Sequence, residues 1–170
     1  MGEFSMRRKY WILLIVFLVV ISLDQSTKLM IQQTLPLHKQ VEVLPGFFNL
    51  IHVRNTGGAF GIFGGEKDPV GSALFVAASL VAVGILVILF LRVKDHEKSL
   101  SFSLSLLLSG AIGNLIDRIA YGEVIDFLDF YVSSYHWPAF NIADSAISVG
   151  IGLMALELLI KEHKKPGKAQ

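Results

Sequence analysis

Four long apolar stretches limit what this chain can fold into more than any other feature of its sequence. A helix needs roughly 20 mostly apolar residues to cross a hydrocarbon core about 30 Å thick. Each stretch is long enough, and together they cover approximately residues 10–33, 70–92, 99–118 and 140–160. The whole chain of 170 residues is 53% hydrophobic and only 17% charged, which is too apolar for an ordinary soluble domain. We therefore predict an all-α membrane protein, a four-transmembrane-helix bundle that forms a single domain over residues 1–170.

The third stretch, SLSFSLSLLLSGAIGNLI, alternates serine with apolar residues, and this periodicity alone would favour a strand. We nevertheless predict a helix. An unpaired strand cannot satisfy its backbone groups in lipid, and a closed barrel would need many more strands than this chain can supply.

The first stretch follows a basic start, MRRKY, and could be mistaken for a cleaved signal peptide. No cleavage site with small residues follows it, so we interpret it as a retained span. The leading residues 1–5, MGEFS, do not belong to any predicted element. We expect them to be an added segment ahead of a native start at Met6.

The basic residues predict the orientation of the bundle. Ten of the fifteen lysines and arginines lie at the N-terminus, between the second and third spans, or after the fourth span. The positive-inside rule makes that side cytoplasmic. Both termini are then cytoplasmic, and segments 34–69 and 119–139 face outward. The basic tail indicates topology and contact with membrane lipids, and no nucleic-acid partner is expected.

The two outward segments differ in composition. Residues 41–63 are rich in β-branched and aromatic residues and are interrupted by glycines, which predicts a small extracytoplasmic β-sheet segment. Residues 124–136 carry apolar side chains at helical spacing, namely Ile125, Leu128, Val132 and Tyr135. We predict a short interfacial helix there, with Asp126 and Asp129 on one face.

Five aspartates fall near the predicted outer surface: Asp24, Asp117, Asp126, Asp129 and Asp144. Carboxylates at that depth are costly and persist mainly when they are paired or functional. Each also has a structural interpretation. Asp24 can pair with Lys28 one helical turn away, and Asp117 with Arg118. Asp129 is interpreted as a solvated or interfacial acid. Asn141 is a good N-cap for the fourth span, and Asp144 in its first turn complements the helix dipole.

The sequence offers few residues for other kinds of catalytic site. There is no cysteine, the five histidines are dispersed without metal-binding spacing, and no G-x-S-x-G motif occurs, so no metal or other cofactor is expected. Two carboxylates sharing one proton are the best-supplied catalytic group. The pattern leaves open whether Asp117, Asp126 or Asp129 would be the partner of Asp144. A small transporter or proton-relay subunit, and a purely structural membrane subunit, are the alternatives.

Five short blocks occur in order along the chain: DQSTK, VRNTGGAFG, GNLIDR, VIDF and FNIADSAI. Together they resemble the signature blocks of the bacterial lipoprotein signal peptidases, or signal peptidase II. The chain departs from that pattern at Gly58, where the family has alanine. The resemblance implies that Asp126 and Asp144 are the catalytic pair. It also implies substrate-binding or supporting roles for Asp24, Lys28, Asn55, Gly57, Asn114, Asp117, Arg118 and Asn141.

The resemblance further implies an aspartic endopeptidase that cleaves prolipoproteins before a diacylglyceryl-modified cysteine. The enzyme would be a monomer in the bacterial cytoplasmic (inner) membrane, with its active site near the outer face. A lipid on the substrate cysteine would hold the scissile bond at the depth of the five aspartates. On this basis we predict that segments 41–63 and 124–136 form the two sides of a substrate clamp.

Overall fold

In a computed structural model, which describes residues 7–56 and 69–163, four helices are long and apolar enough to cross a membrane. They are α1 (Arg8–Thr34), α2 (Pro69–Arg92), α3 (Lys98–Tyr121) and α4 (Ile142–His163). Their positions confirm all four predicted spans, including the serine-rich third one. Four strands complete the described fold: β1 (Gln40–Leu44), β2 (Phe48–Asn55), β3 (Val124–Val132) and β4 (Tyr135–His136).

Helix α3 lies at the centre of the bundle and packs against α1, α2 and α4. Its alternating serines are the reason it can do so. Ser101, Ser103, Ser105 and Ser109 are fully buried. Small side chains allow neighbouring helices to approach closely, and a serine hydroxyl can bond the carbonyl four residues back. Ser105 and Ser109 make that bond at 2.6 Å. The serine alternation that resembles a strand therefore serves close helix packing.

Two glycines of α3 bring its backbone against neighbouring helices. A Cβ added at Gly110 would clash with the carbonyl oxygen of Ala143 and lie 2.7 Å from Cγ1 of Ile147. A Cβ added at Gly113 would lie 2.8 Å from a carboxylate oxygen of Asp24. Both positions therefore require glycine for space, and they hold the first turn of α4 close to α3.

We expect Gly110→Ala to push the first turn of α4 away from α3, because backbone at the contact cannot yield as a side chain can. Overpacking of this kind costs about 1–3 kcal/mol of stability. The matched control is Gly84→Ala in α2, where an added Cβ meets nothing within 4 Å. Thermal unfolding of the two purified variants in detergent measures the difference. Equal melting temperatures for Gly110→Ala and Gly84→Ala would contradict the close contact.

Lys9 belongs to the basic N-terminus that was used to predict orientation, yet its side chain is buried. Its Nζ donates to carbonyls at and just beyond the end of α2, at 3.0 Å from Leu91 O and 2.8 Å from Val93 O. A cation placed there also complements the C-terminal end of the helix dipole. In the opposite direction, the Asp95 carboxylate accepts from the backbone N–H of Arg8 and Lys9. These contacts join the start of α1 to the end of α2.

The four strands form one antiparallel arrangement in the order β1-β2-β3-β4, at the end of the bundle where α1 finishes and α4 begins. We call this the sheet end and the opposite one the basic end. Strands β1 and β2 confirm the predicted β segment over residues 41–55. The rest of that segment, Gly57 to Phe63, lies outside the described residues.

The predicted interfacial helix over residues 124–136 is wrong, because this segment forms strands β3 and β4. Strand β3 pairs along β2, from Asn55 opposite Val124 to Phe48 opposite Phe130. Most of β3 is buried, so its apolar residues show no clean two-residue alternation, and their spacing resembled that of a helix. β-branched and aromatic residues favour the strand. The described parts of the two outward segments are therefore neighbours in one sheet, and residues 57–63 of the predicted clamp lie outside the described residues.

Candidate active site

Polar side chains from α1, α3, β3 and the start of α4 converge at the sheet end, and Lys28 lies at their centre. Its Nζ is 2.8 Å from Asp24 Oδ2 and 2.8 Å from Asp117 Oδ2, and all three side chains are buried. It also donates to Asn114 Oδ1 at 3.1 Å. The predicted ion pair of Asp24 with Lys28 is confirmed. The predicted pair of Asp117 with Arg118 is wrong, because Lys28 from α1 reaches Asp117 instead.

The two carboxylates bound to Lys28 also bind backbone N–H groups of other elements. Asp24 Oδ1 accepts from Ala143 N at 2.9 Å, next to Asp144. Asp117 Oδ2 accepts from Ile125 N at 3.2 Å, next to Asp126. Lys28 therefore binds two carboxylates, and each of them holds a backbone N–H group next to a residue of the pair. Asp24 holds the backbone beside Asp144, and Asp117 holds the backbone beside Asp126.

Asn141 contacts both Asp126 and Asp144. Its side-chain Nδ2 donates to Asp126 Oδ1 at 2.8 Å. Its Oδ1 accepts from Asp144 N at 2.9 Å, and its own backbone N donates to Asp144 Oδ2 at 3.2 Å. This reciprocal arrangement is a capping box, so the predicted N-cap is confirmed. The same residue that starts α4 thus holds two carboxylates from different elements beside each other.

Two further asparagines complete the surroundings of this pair. Asn55 Nδ2 donates to Asp126 Oδ2 at 3.0 Å, and Asn114 Nδ2 donates to Asp144 Oδ1 at 2.7 Å. Each carboxylate is therefore oriented through both of its oxygens. Amide donors can fix a carboxylate without neutralising it, which leaves its charge available for chemistry.

Burial raises the pKa of Asp126 from its usual 3.8 to about 7. The hydrogen bond from Asn55 opposes this shift, whereas the negative charge of Asp144 adds to it. A buried carboxyl beside a second acid is expected to behave in this way, because its charged form is both desolvated and repelled. Near neutral pH such a pair can hold one proton between two carboxylates.

Arg118 lies beside this pair and is half-buried. Its guanidinium is within electrostatic range of Asp144, Asp126 and Asp117. Among the described residues its Nε has no hydrogen-bond partner. A positive charge at this distance stabilises the ionised form of nearby carboxylates.

Most of the residues predicted for the site meet in this one network: Asp24, Lys28, Asn55, Asn114, Asp117, Asp126, Asn141 and Asp144. Gly57 lies outside the described residues. Gln25 was missed, although it directly follows Asp24 in the DQSTK block. Its Nε2 donates to Asp24 Oδ2 at 3.0 Å and Asp117 Oδ1 at 3.1 Å, which links α1 to α3.

Asp129 was predicted to be a solvated or interfacial acid, and the solvated alternative is wrong, since only 4% of its surface is exposed. It accepts from Asn49 Nδ2 at 2.9 Å and lies 2.8 Å from His136 Nδ1. Residues three apart in a strand point to opposite faces. Asp129 therefore does not share a face with Asp126, and it lies apart from the network described above.

Fold and site together define a polytopic membrane protein with two amide-bound carboxylates at one end of its helix bundle. Comparison with known proteins is more specific. Residues 16–160 match the family model of signal peptidase (SPase) II. The lipoprotein signal peptidase of Geobacter metallireducens is 43% identical over 160 residues, covering 94% of this chain and 98% of the relative. That of Desulforapulum autotrophicum is 43% identical over 150 residues, covering 88% and 93%.

Two solved structures of bacterial membrane enzymes, both determined by the in meso method, have the same fold. One, at 2.3 Å resolution, gives a TM-score of 0.80 at 34% identity and covers 93% of each chain. The other, at 1.9 Å resolution, gives 0.77 at 32% identity and covers 91% of this chain and 94% of the other. The chain belongs to the signal peptidase II family, as its five sequence blocks predicted. It is thus a bacterial membrane peptidase, of a family that removes signal peptides from lipoproteins.

Proposed function

We propose that this protein is an aspartic endopeptidase in which Asp126 and Asp144 hydrolyse the peptide bond before a diacylglyceryl-modified cysteine of a prolipoprotein. The observation that carries the proposal is the double contact of Asn141, whose side chain binds Asp126 while its backbone binds Asp144. This contact holds two carboxylates from different elements beside each other at one end of a membrane bundle. The raised pKa of Asp126 supports the sharing of one proton.

In the proposed reaction, Asp126 starts protonated and Asp144 starts ionised. Asp144 takes a proton from a water molecule, whose oxygen attacks the scissile carbonyl carbon, while Asp126 donates its proton to the carbonyl oxygen. Collapse of the tetrahedral intermediate returns the carbonyl-oxygen proton to Asp126. The leaving nitrogen takes the proton held by Asp144. The products are a signal peptide with a new carboxylate and a lipoprotein with a free amino group on its lipidated cysteine.

The remaining residues of the network have supporting roles in this proposal. Asn55, Asn114 and Asn141 orient the two carboxylates, and Asp24, Lys28 and Asp117 hold the backbone beside them. The charge of Arg118 favours the ionised state of the pair. Gly57 is assigned to the site through the family resemblance alone.

The distribution of lysine and arginine supports placing the basic end and both termini in the cytoplasm. The carboxylate pair then faces the outer leaflet of the cytoplasmic membrane. A diacylglyceryl group on the substrate cysteine would anchor the substrate at that depth. We expect the enzyme to act as a monomer.

Mass spectrometry of the cleavage products tests this assignment. The purified protein is incubated with a prolipoprotein whose cysteine carries the diacylglyceryl group, and separately with the same precursor without it. We expect cleavage immediately before the cysteine in the modified precursor, and little or none in the unmodified one. Cleavage at another bond, or equal cleavage of both precursors, would contradict the proposed specificity.

A pH profile tests the proton assignment. Because the raised pKa of Asp126 keeps this carboxyl protonated up to about pH 7, kcat/KM is expected to fall as pH rises through that value. The hydrogen bond from Asn55 lowers that pKa, so Asn55→Ala should move the descending limb to higher pH. Glu42→Gln, an exposed change on the same sheet, should leave the limb where it is. If the descending limb of the kcat/KM profile lies at the same pH in Asn55→Ala as in the parent protein, a group other than Asp126 is responsible for it.

A further inference from the structure

A cleft at the sheet end adjoins the carboxylate pair. It has a volume of about 510 Å³, and Ile51 and Val53 of β2 are among its lining residues, whereas Asp126 and Asp144 are not. Val53 is the residue directly opposite Asp126 in the pairing of β2 with β3. The cleft therefore reaches the position across the sheet from Asp126. The catalytic steps proposed above give it no role.

Most of the exposed lining of this cleft is apolar. The apolar surface comes from Ile51, Val53, Trp137, Pro138 and Ala139. The Trp137 side chain is 59% exposed, so a ligand in the cleft can reach it. Binding sites of this kind surround a ligand with apolar side chains and orient it through a few polar groups. The lining therefore suits a small or apolar side chain of a peptide better than an ion.

His136 supplies the cleft with a hydrogen-bond acceptor. Its Nδ1 lies 2.8 Å from Oδ1 of Asp129. A carboxylate only accepts hydrogen bonds, so the ring hydrogen is on Nδ1, and Nε2 of the neutral ring is an acceptor. The ring stacks on Tyr131 with centroids 4.9 Å apart, and Asn49 also binds Asp129. These contacts give the acceptor a fixed direction, and a backbone N–H of a peptide is a donor that suits it.

The depth of the cleft selects the part of a substrate that can enter it. Two further lining residues are His38, a few positions after the end of α1, and Ala139, a few positions before the start of α4. The cleft therefore lies beyond the ends of two membrane helices. The segment before the cysteine of a prolipoprotein is an apolar signal peptide, which belongs in hydrocarbon. The segment after the cysteine leads away from the membrane, so it is the part that can lie in the cleft.

We propose that the cleft binds the first residues after the lipidated cysteine, with His136 Nε2 accepting a hydrogen bond from a backbone N–H of that segment. The inference rests on the proposed function, since it takes Asp126 and the lipidated cysteine as its reference points. Asp129 follows Asp126 by three positions in β3, a distance of roughly 10 Å in a strand. Three extended substrate residues cover the same distance, so the N–H should belong to one of the first three. Asp129 is a positioning residue, because it acts through His136.

Backbone N-methylation of the substrate tests the proposal, because it removes one N–H at a time. Synthetic diacylglyceryl-modified precursors carry one N-methyl group at the first, second or third position after the cysteine, or at the third position before it. We expect kcat/KM of the parent protein to fall about five-fold at one position after the cysteine, mainly through KM. A five-fold loss corresponds to one hydrogen bond of about 1 kcal/mol.

His136→Phe keeps an aromatic ring beside Tyr131 but has no acceptor. With the unmodified precursor, kcat/KM should fall by about the same five-fold, and the N-methyl group that affects the parent should cause no further loss. A merely structural role of His136 would not couple one protein side chain to one substrate N–H in this way. His96→Phe, at an exposed histidine of the basic end, is the matched control and should respond to every precursor as the parent does. Equal melting temperatures show that the variants are folded.

A shortened precursor tests the cleft in the unaltered protein, so it does not depend on the folding of a variant. Its chain ends at the modified cysteine, which carries a terminal amide. We expect the KM of this precursor to be at least about five-fold higher than that of the full precursor, because it leaves the cleft empty. Cleavage should still occur before the cysteine.

Three results would overturn the proposal. Equal losses on N-methylation in His136→Phe and in the parent would show that His136 does not accept from the substrate. Coupling of His136 to the position before the cysteine would place the signal peptide in the cleft. An unchanged KM for the shortened precursor would show that the residues after the cysteine bind elsewhere. In all three cases the parent still cleaves before the cysteine, whereas a parent that does not cleave there would refute the proposed function itself.

Discussion

Asp126→Asn and Asp144→Asn are each expected to reduce cleavage of diacylglyceryl-modified prolipoprotein by at least about a thousand-fold, because each removes one half of a proton-transfer pair. Asparagine keeps the shape of the side chain but can neither accept a proton from water nor donate one to the carbonyl oxygen. The two losses should not add in the double variant, since removing either carboxylate already abolishes the shared function. A gel mobility shift of the modified precursor measures turnover.

Glu42→Gln is the control for both variants. Glu42 is an exposed carboxylate on the same sheet, where it accepts a hydrogen bond from the Tyr131 hydroxyl. Its loss should leave turnover within about two-fold, as expected for a surface change. Asp129 would be a poor control, because it is buried and linked to Asn49 and His136. Near-normal turnover in either folded Asp→Asn variant would refute the catalytic assignment.

Lys28→Met is expected to give the largest loss of stability. The change leaves Asp24 and Asp117 as buried carboxylates without their cation. Removing one partner from a buried ion pair costs about 3–5 kcal/mol. For a chain of this size that lowers the melting temperature by on the order of 10 °C. Turnover should fall as well, because Asp24 and Asp117 hold the backbone beside both proposed catalytic residues.

Neutralising Asp24 and Asp117 separates two contributions to the stability lost in Lys28→Met. One is the unbalanced negative charge, and the other is the loss of side-chain packing. The triple variant Lys28→Met, Asp24→Asn, Asp117→Asn has no uncompensated charge in this cluster, and it should recover part of the lost stability. Lys94→Met, at an exposed position in the loop after α2, should stay within about 0.5 kcal/mol of the parent. If Lys28→Met unfolds at the same temperature as Lys94→Met, Lys28 does not balance the two buried acids.

The helices were predictable because the membrane leaves few alternatives. A long apolar stretch such as residues 70–92 must satisfy its backbone internally, and this requirement overrode the serine alternation of α3. The N-cap at Asn141 was also predictable, since capping depends on residues only three positions apart. The ion pair of Asp24 with Lys28 was predictable for the same reason, because it lies within one helical turn.

The contacts between elements were not predictable in this way. Asp117 had a cation as its direct neighbour, yet the cation that reaches it is Lys28, 89 positions away along the chain. The strand β3 was predicted as a helix, because a strand depends on pairing with a partner, here β2, that its own periodicity does not reveal. The burial of Asp129 follows from the same pairing.

The sequence by itself determined the four spans, the family and the identity of most residues at the site, because span length, local capping and the five ordered blocks are all readable along the chain. Only the tertiary structure decided which of these residues touch. Asn141 meets Asp126 because β3 pairs with β2 and lies against the start of α4. Such contacts depend on how distant segments pack, and the spacing of residues along the chain does not predict that packing.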